Sequence, residues 1–407
     1  MSRRNLPKYT VIVALYDEAQ MVPQLLKALN AINYPRQKLE IILAVENHDA
    51  VTNLVISTAK MPQHFHHVIV TEGHPQTKPR ALNAALTRAT GRYVVVYDAE
   101  DIPHPEQLRA AASRFRQDPD LVCLQAALIP KGHSWLARQF CAEYAALFQV
   151  LTPAASTLGL PFALGGTSNH LCCKTLHQLG GWDSWNVTED ADLGLRLGRY
   201  GGKTAMLYGY PTYETAPEQL AQWLPQRARW LKGFIQTLAV HLHPIGWRKT
   251  VAAYPDYRFW LAMVISLLLP LLSAALYAPA SLLIIVRCLE GLIHHRPPTV
   301  PSEAWALVIW GWMSGVCCIV VGLKRAGASA PSLKDLLSLP LYWSLKSLAF
   351  VLACWQLMFR PYHWNKTAHY PFVDPLALPF ERPVTADFKP SRPRKQTGRG
   401  RKAAVSG

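Results

Sequence analysis

Acidic residues are scarce in this sequence. Its 407 residues hold 26 aspartates and glutamates against 42 lysines and arginines, a formal net charge of +16. A basic surplus can signal a nucleic-acid partner. No zinc-finger or RNA-binding signature interleaves the charge here, so nucleic acid is not expected. Much of the charge flanks long apolar runs or sits in the tail Lys389–Lys402, which fits cytoplasmic loops beside anionic lipid. The eight cysteines include no CxxC pair. Cys172-Cys173 and Cys317-Cys318 are adjacent, a poor geometry for joint metal ligation, so reduced, packed thiols are expected. GxGxxG and the Gly-x-x-x-x-Gly-Lys-Ser/Thr loop are both missing, which removes the main support for dinucleotide and P-loop readings. No apolar stretch of signal length precedes Tyr9, so the N-terminal part is expected to stay in the cytoplasm. No internal repeat is evident.

What is present alternates. Tyr9–Ala14, Leu39–Val45, His67–Thr71 and Tyr93–Asp98 read as strands, separated by helix-like stretches at Val22–Ile32, Asp49–Lys60 and Thr77–Thr90. That β-α-β-α-β-α-β order implies a mainly parallel α/β sheet with right-handed crossovers. Leu121–Ala127 is a further strand, Ser134–Leu151 an amphipathic or interfacial helix, and Pro217–Thr237 a helix or helix pair rich in Trp, Arg and Gln. Phe259–Val286, Ala304–Leu323 and Leu336–Met358 are long apolar segments, and about 20 residues suffice to span a bilayer.

Three constellations carry chemistry. The strand ending at Tyr97 runs into Asp98-Ala99-Glu100-Asp101, and Ile102-Pro103 is expected to end regular pairing. Ligands bind beyond the carboxyl ends of strands in such sheets. Side chains two apart in an extended segment point the same way, so Asp98 and Glu100 can share a pocket and hold Mg²⁺ or Mn²⁺ with substrate phosphate. A solvated acidic turn is the other reading. Thr188-Glu189-Asp190 opens a helix, either as a cap with favourable first-turn charge or as a carboxylate base, Asp190, with Glu189 beside it. Gln226, Arg229 and Trp230 lie at i, i+3 and i+4 on one helix face. They can grip a diphosphate and stack on a sugar, or lie on a membrane surface.

In this order the clusters resemble the D, DxD, TED, QxxRW pattern of membrane-bound, processive family 2 glycosyltransferases. This is the cellulose synthase-like group, and the likeness is closest to bacterial transferases of the phage-adsorption-protein B type. Thr77–Leu86, Tyr97–Pro103, Gly165–His170, Asn186–Leu197, Gln226–Gly233 and Trp364–Thr367 carry the likeness, over residues of about 9 to 370. Asp98-Ala99-Glu100 departs from the pattern in its second carboxylate. The resemblance implies a GT-A nucleotide-sugar domain over residues 1–240, transmembrane helices over 241–359, and a cytoplasmic Trp-x-Lys-Thr loop and basic tail over 360–407.

It implies donor contacts from Tyr16, Asp17, Glu18, Glu46, Asn47, Lys78, Asp98, Gln226, Arg229, Lys366 and Thr367. Acceptor contacts fall to Trp230, Asn169 and His170, catalysis to Asp190 with Glu189, and metal binding to Asp98 and Glu100. The reaction implied is inverting sugar transfer from a nucleotide sugar to a growing polysaccharide at the bacterial inner membrane. UDP-sugar is the preferred donor and GDP-mannose the other candidate, with membrane lipid and other export-complex subunits as partners. A single-step transferase to a lipid or short acceptor, or a non-catalytic membrane scaffold, are the alternatives. Keeping Thr367 on the side of Asp98 requires an even number of crossings. Four are expected, with Phe259–Val286 as a tight hairpin; two would follow if Leu336–Met358 lay in the interface.

Overall fold

The structure, a computed structural model, describes residues 5–243 and 256–362. Lys366 and Thr367 lie outside the described residues. Eight strands form one sheet: β1 Tyr9–Leu15, β2 Leu39–Glu46, β3 Phe65–Val70, β4 Tyr93–Tyr97, β5 Ile102–Pro103, β6 Leu121–Lys131, β7 Asn169–Cys172 and β8 Lys203–Thr215. Their order is β3-β2-β1-β4-β7-β6-β8-β5. The pairs β1/β2, β1/β4, β2/β3 and β6/β8 are parallel, while β7 and β5 are antiparallel to their neighbours. The sheet is thus mostly parallel and mixed, as the alternation implies. Ile102-Pro103 does not end pairing; it makes a two-residue edge strand against Tyr213 and Thr212, where a proline without an N–H is tolerated.

Strand alternation sorts the core. Tyr9, Val11, Val13 and Leu15 of β1 pack on one face of the sheet, and Ile12 on the other. On β4, Tyr93, Val95 and Tyr97 share the first face, Val94 and Val96 the second. Both faces are covered by helices: α1 Val22–Asn30, α2 Ala50–Thr58, α3 Lys78–Leu86, α4 Gln107–Gln117, α5 Trp135–Ala146, α6 Thr152–Thr157, α7 Cys173–Gln178, α8 Glu189–Arg199 and α9 Leu220–Leu242. A π turn, Leu147–Leu151, joins α5 to α6.

His170, expected at the acceptor, lies in the core instead. It is wholly buried on β7 between β4 and β6. The Tyr9 hydroxyl donates to Nδ1 at 2.7 Å, and Nε2 faces Gln107 Oε1 at 3.1 Å. Burial pushes the imidazole down to about 3, so it is neutral and Nε2 carries the proton. Asn169 is buried too, its amide donating to Gly165 O at 2.7 Å. Neither residue lines the cleft described below; the antiparallel insertion of β7 turns both into the sheet.

The C-terminal region comprises α10 Tyr257–Met263, a π turn Val264–Leu268, α11 Leu269–Ile293, α12 Ser302–Arg325, α13 Leu333–Leu337 and α14 Leu339–Phe359. Three helices among the described residues are long and apolar enough to cross a membrane: Tyr257–Ile293, Ser302–Arg325 and Leu339–Phe359. The first runs continuously, so the hairpin expected over Phe259–Val286 is not formed. Helix α14 touches the sheet domain at both ends. Before it, Trp135 Nε1 donates to Ser338 Oγ at 2.7 Å and Arg138 pairs with Asp335 at 3.0 Å. After it, Gln236 Nε2 donates to Pro361 O at 3.0 Å and Lys232 Nζ to Arg360 O at 3.3 Å. A helix roughly 31 Å long, at about 1.5 Å per residue, is thereby laid along α9 rather than away from it.

The placement of His170 gives a first expected outcome. His170→Ala leaves the buried Tyr9 hydroxyl without its acceptor, at roughly 1–3 kcal/mol, while Gln107 Oε1 keeps the Tyr97 hydroxyl. A thermal melt of the purified protein should show the loss, with an unchanged donor KM. A raised acceptor KM with an unchanged melting temperature would return His170 to the site.

Candidate active site

The carboxyl ends of β1, β2 and β4 open into one cleft of about 1060 Å³, closed on the far side by α8 and α9. The loop after β1 is pinned to the start of α2. Asp49 caps that helix through Thr52 N, and its other oxygen accepts from Asp17 N at 2.5 Å. Glu18 N donates to Thr52 Oγ1 at 3.1 Å. This sets Tyr16 and Glu18 on the cleft wall, with Glu46 at the end of β2 held by Arg80. Burial outweighs that partner and raises the Glu46 pKa.

Lys78 stands at the centre. As the first residue of α3 it pairs with Asp98 and donates to Gly166 O at 2.7 Å. A side chain at Gly166 would lie 3.4 Å from Asp190 Oδ2 and 3.9 Å from Lys78 Nζ, so this glycine leaves the lysine and the base facing each other. Burial alone would lower the lysine pKa, but Asp98, Glu189 and Asp190 carry it above its ordinary value. Burial raises both acids of the α8 pair, and the Asp190 charge pushes Glu189 further, up to about 8. Arg229 reaches the same space, its Nη1 donating to Val187 O at 3.0 Å. Burial draws its pKa down while Glu189, Asp190 and Asp98 oppose that.

Thr188 holds the N-cap position without capping through its side chain. Its hydroxyl fills the place a Cβ at Gly233 would take, 2.3 Å away. The absence of a side chain at Gly233 therefore brings α9 onto the start of α8. Gln226, Arg229 and Trp230 all line the cleft, as their spacing implies. Gln226 Oε1 is buried with no hydrogen-bond partner among the described residues. Arg227, between them, is held bidentately by Glu143 at 3.1 and 2.7 Å. Its guanidinium lies 4.5 Å from the Trp230 ring centroid, so it fixes the indole. Lys346 and the Tyr342 hydroxyl of α14 donate to the same carboxylate at 2.7 and 2.6 Å.

The acidic loop sorts itself by burial. Asp98 and Glu100 line the cleft. Asp101, the third acid of the loop, turns inward, accepting from Asp98 N at 2.7 Å and from Thr167 Oγ1. It shapes the turn. Glu214, at the end of β8, also lines the cleft. Burial, then Glu100, Asp101 and Asp98, raise its pKa well above the usual range. Sequence reading missed Glu214 because β8 was not recognised as a strand. It missed Arg227 and Glu143 because their pairing joins helices 84 residues apart. Glu143, the one acidic residue of α5, was the available signal.

The donor set suits a hard divalent cation. No three His, Cys, Asp or Glu among the described residues are arranged to hold an ion by themselves. Two carboxylates beside a diphosphate-sized space instead fit an ion whose shell is completed by phosphate oxygens.

Comparison with known proteins gives the family and the fold. The chain is 25% identical over 246 residues to a probable glycosyltransferase of Bacillus subtilis, covering 56% of each. It is 25% identical over 314 residues to a beta-monoglucosyldiacylglycerol synthase of Synechocystis, covering 73% of this chain and 64% of that one. It is 24% identical over 310 residues to the UDP-forming cellulose synthase catalytic subunit of Pseudomonas fluorescens, covering 71% and 41%. The chain thus spans about half to two thirds of the length of the first curated relatives it matches. In fold it is similar to a mannosyltransferase of Pyrobaculum calidifontis solved with GDP-mannose and Mn²⁺, with a TM-score of 0.55, 18% identity and 88% of each chain covered. The profile of the glycosyltransferase-like family 2 matches residues 7–233. That match takes in more than half of the chain, from β1 to the glycine that seats α9 on α8, and the chain belongs to that family.

Proposed function

We propose that this protein is an inverting glycosyltransferase that uses a nucleotide sugar, with a divalent cation, at a membrane. The observation that carries the reading is the meeting of Asp98, Lys78, Asp190 and Arg229 in one cleft. The base and ribose would lie by Tyr16, Glu18 and Glu46, and the diphosphate between Asp98, Lys78 and Arg229. A Mg²⁺ or Mn²⁺ ion, held by Asp98 and Glu100, would supply positive charge beside the diphosphate. Asp190 accepts the proton of the acceptor hydroxyl as that oxygen bonds to the anomeric carbon. The bond to phosphate breaks, and Arg229 and Lys78 meet the charge left on the departing nucleoside diphosphate. Trp230 and Gln226 position the sugar.

Two relatives favour different acceptors: one is named for a polysaccharide, the other for a glycolipid. Growth of a polysaccharide is the reading that Gln226, Arg229 and Trp230 support. UDP-sugar remains the preferred donor and GDP-mannose the other. Helices α11 and α12 are proposed as the two crossings, with α14 lying in the interface. This returns the chain to the catalytic side, taken here as the cytoplasmic face of a bacterial inner membrane. The segment at 360–407, with Lys366 and Thr367, would then share the donor's compartment.

A screen of radiolabelled nucleotide sugars on the purified chain tests the whole reading: one should be consumed and its sugar transferred. Asp190→Asn should lower transfer about 10²- to 10⁴-fold without changing nucleoside diphosphate affinity; a loss below threefold would place the base elsewhere. Electron paramagnetic titration of Mn²⁺ in the presence of nucleoside diphosphate should show weaker binding in Glu100→Gln, and chelator should stop turnover. Full turnover in excess chelator would remove the ion from the reaction.

The pH dependence follows from burial. Both carboxyls of the α8 pair bind protons more tightly than ordinary acids, and only the deprotonated base acts. Transfer should therefore rise with pH along a limb that lies above the ordinary carboxylate range. Glu189→Gln mimics the neutral acid that a pKa of about 8 gives Glu189 and should leave that limb in place. A kcat/KM profile that falls between weakly acidic and weakly basic pH would contradict the assignment.

A further inference from the structure

The cleft changes character along its length. Its reacting end is charged, with Asp98, Lys78, Asp190 and Arg229. Its other end is lined by Leu147, Leu151, Ala155, Phe234, Ile265 and Pro270. That end is open: Leu147, Leu151 and Ile265 are 40%, 51% and 45% exposed. Ile265 and Pro270 belong to the continuous helix Tyr257–Ile293, which is apolar and long enough to cross a membrane. This end of the cleft is therefore bordered by a helix long and apolar enough to cross a membrane.

The backbone around this mouth is specialised. Leu147 and Leu151 belong to one π turn, and Ile265 to the other. A π turn interrupts the regular ladder and is found mostly at functional sites. The first is held in place, since Arg325 of α12 donates to Gln149 O at 2.8 Å. Two helices thus give up regular geometry at the same opening, one in the sheet domain and one in the membrane region. A sugar polymer threaded through this end would leave hydroxyls against leucine and isoleucine without partners, which is costly. An alkyl chain would gain from the same surface.

We propose that this arm holds the apolar chain of a lipid-borne acceptor, whose headgroup hydroxyl is presented to Asp190. The proposal rests on the glycosyltransfer reading of the cleft. The headgroup oxygen gives its proton to Asp190 and bonds to the anomeric carbon. The bond from that carbon to the phosphate oxygen breaks, and nucleoside diphosphate leaves with the electron pair. The acceptor is thus an amphiphile whether it receives one sugar or many.

The test uses the purified full chain, the donor selected by the screen, and a series of alkyl β-glucosides from ethyl to dodecyl below their micellar concentrations. Transfer efficiency should rise with chain length, by up to about fourfold per methylene where the chain is fully buried. Leu151→Asp and Ile265→Asp change half-exposed residues away from the reacting groups. They should flatten the series while leaving nucleoside diphosphate affinity and the rate on ethyl glucoside unchanged. A chain that binds nucleoside diphosphate but shows no chain-length dependence, through uniform transfer or none, overturns this proposal alone. So does a series unchanged in both variants. A chain that binds no nucleoside diphosphate overturns the glycosyltransfer reading and this proposal together.

Discussion

Buried negative charge is the constraint around which the domain is built. Asp98, Glu100, Glu189, Asp190 and Glu214 all face one cleft, with Asp101 directly behind the first two. Lys78 and Arg229 are the cations at that end. Isolated carboxylates out of water are expensive, and the domain meets the cost in two ways. It threads Lys78 between Asp98 and the α8 pair, and burial raises the pKa values of Glu189, Asp190 and Glu214, which eases their loss of charge. The imbalance that remains is one that a divalent cation would relieve.

That arrangement depends on how closely two helices approach. Helix α9 reaches the start of α8 only because Gly233 offers no side chain to Thr188. Once there, Arg229 points into the cleft and Arg227 points to Glu143. The Glu143 carboxylate then gathers Arg227, Lys346 and Tyr342. A paired, hydrogen-bonded charge of this kind specifies one geometry more than it adds stability. It locks the Trp230 indole, helix α5 and the apolar helix α14 into one register, so the wall of the cleft at Trp230 is coupled to the C-terminal apolar helices.

Much of this was legible in the chain itself. The strands β1, β2 and β4 are continuous runs of apolar and β-branched residues that can only be buried on both faces, and their carboxyl ends fall at Tyr16, Glu46 and Asp98. The i, i+3, i+4 spacing of Gln226, Arg229 and Trp230 needs nothing beyond the helical period to share a face. Local sequence was weaker at Asp98–Asp101, where alternation pairs Asp98 with Glu100 but does not say what Asp101 does. It was silent on β8, whose exposed middle at Tyr208–Pro211 breaks the pattern, and Glu214 was lost with it.

The sequence by itself determined the strands β1 to β4 and β6, which helix faces carry charge, and the order of the acidic and Gln-Arg-Trp clusters, because each follows from periodicity within about ten residues. Tertiary structure alone decided the rest. The insertion of β7 between β4 and β6 took Asn169 and His170 out of the site and into the sheet. Contacts at both ends of α14 laid an apolar helix along α9, where hydropathy alone could not distinguish a crossing from an interfacial helix. Two π turns set Leu147, Leu151 and Ile265 on the wall of the cleft. Each outcome joins residues tens to hundreds of positions apart, and depends on which surfaces meet once the sheet has formed, information that no local window of sequence contains.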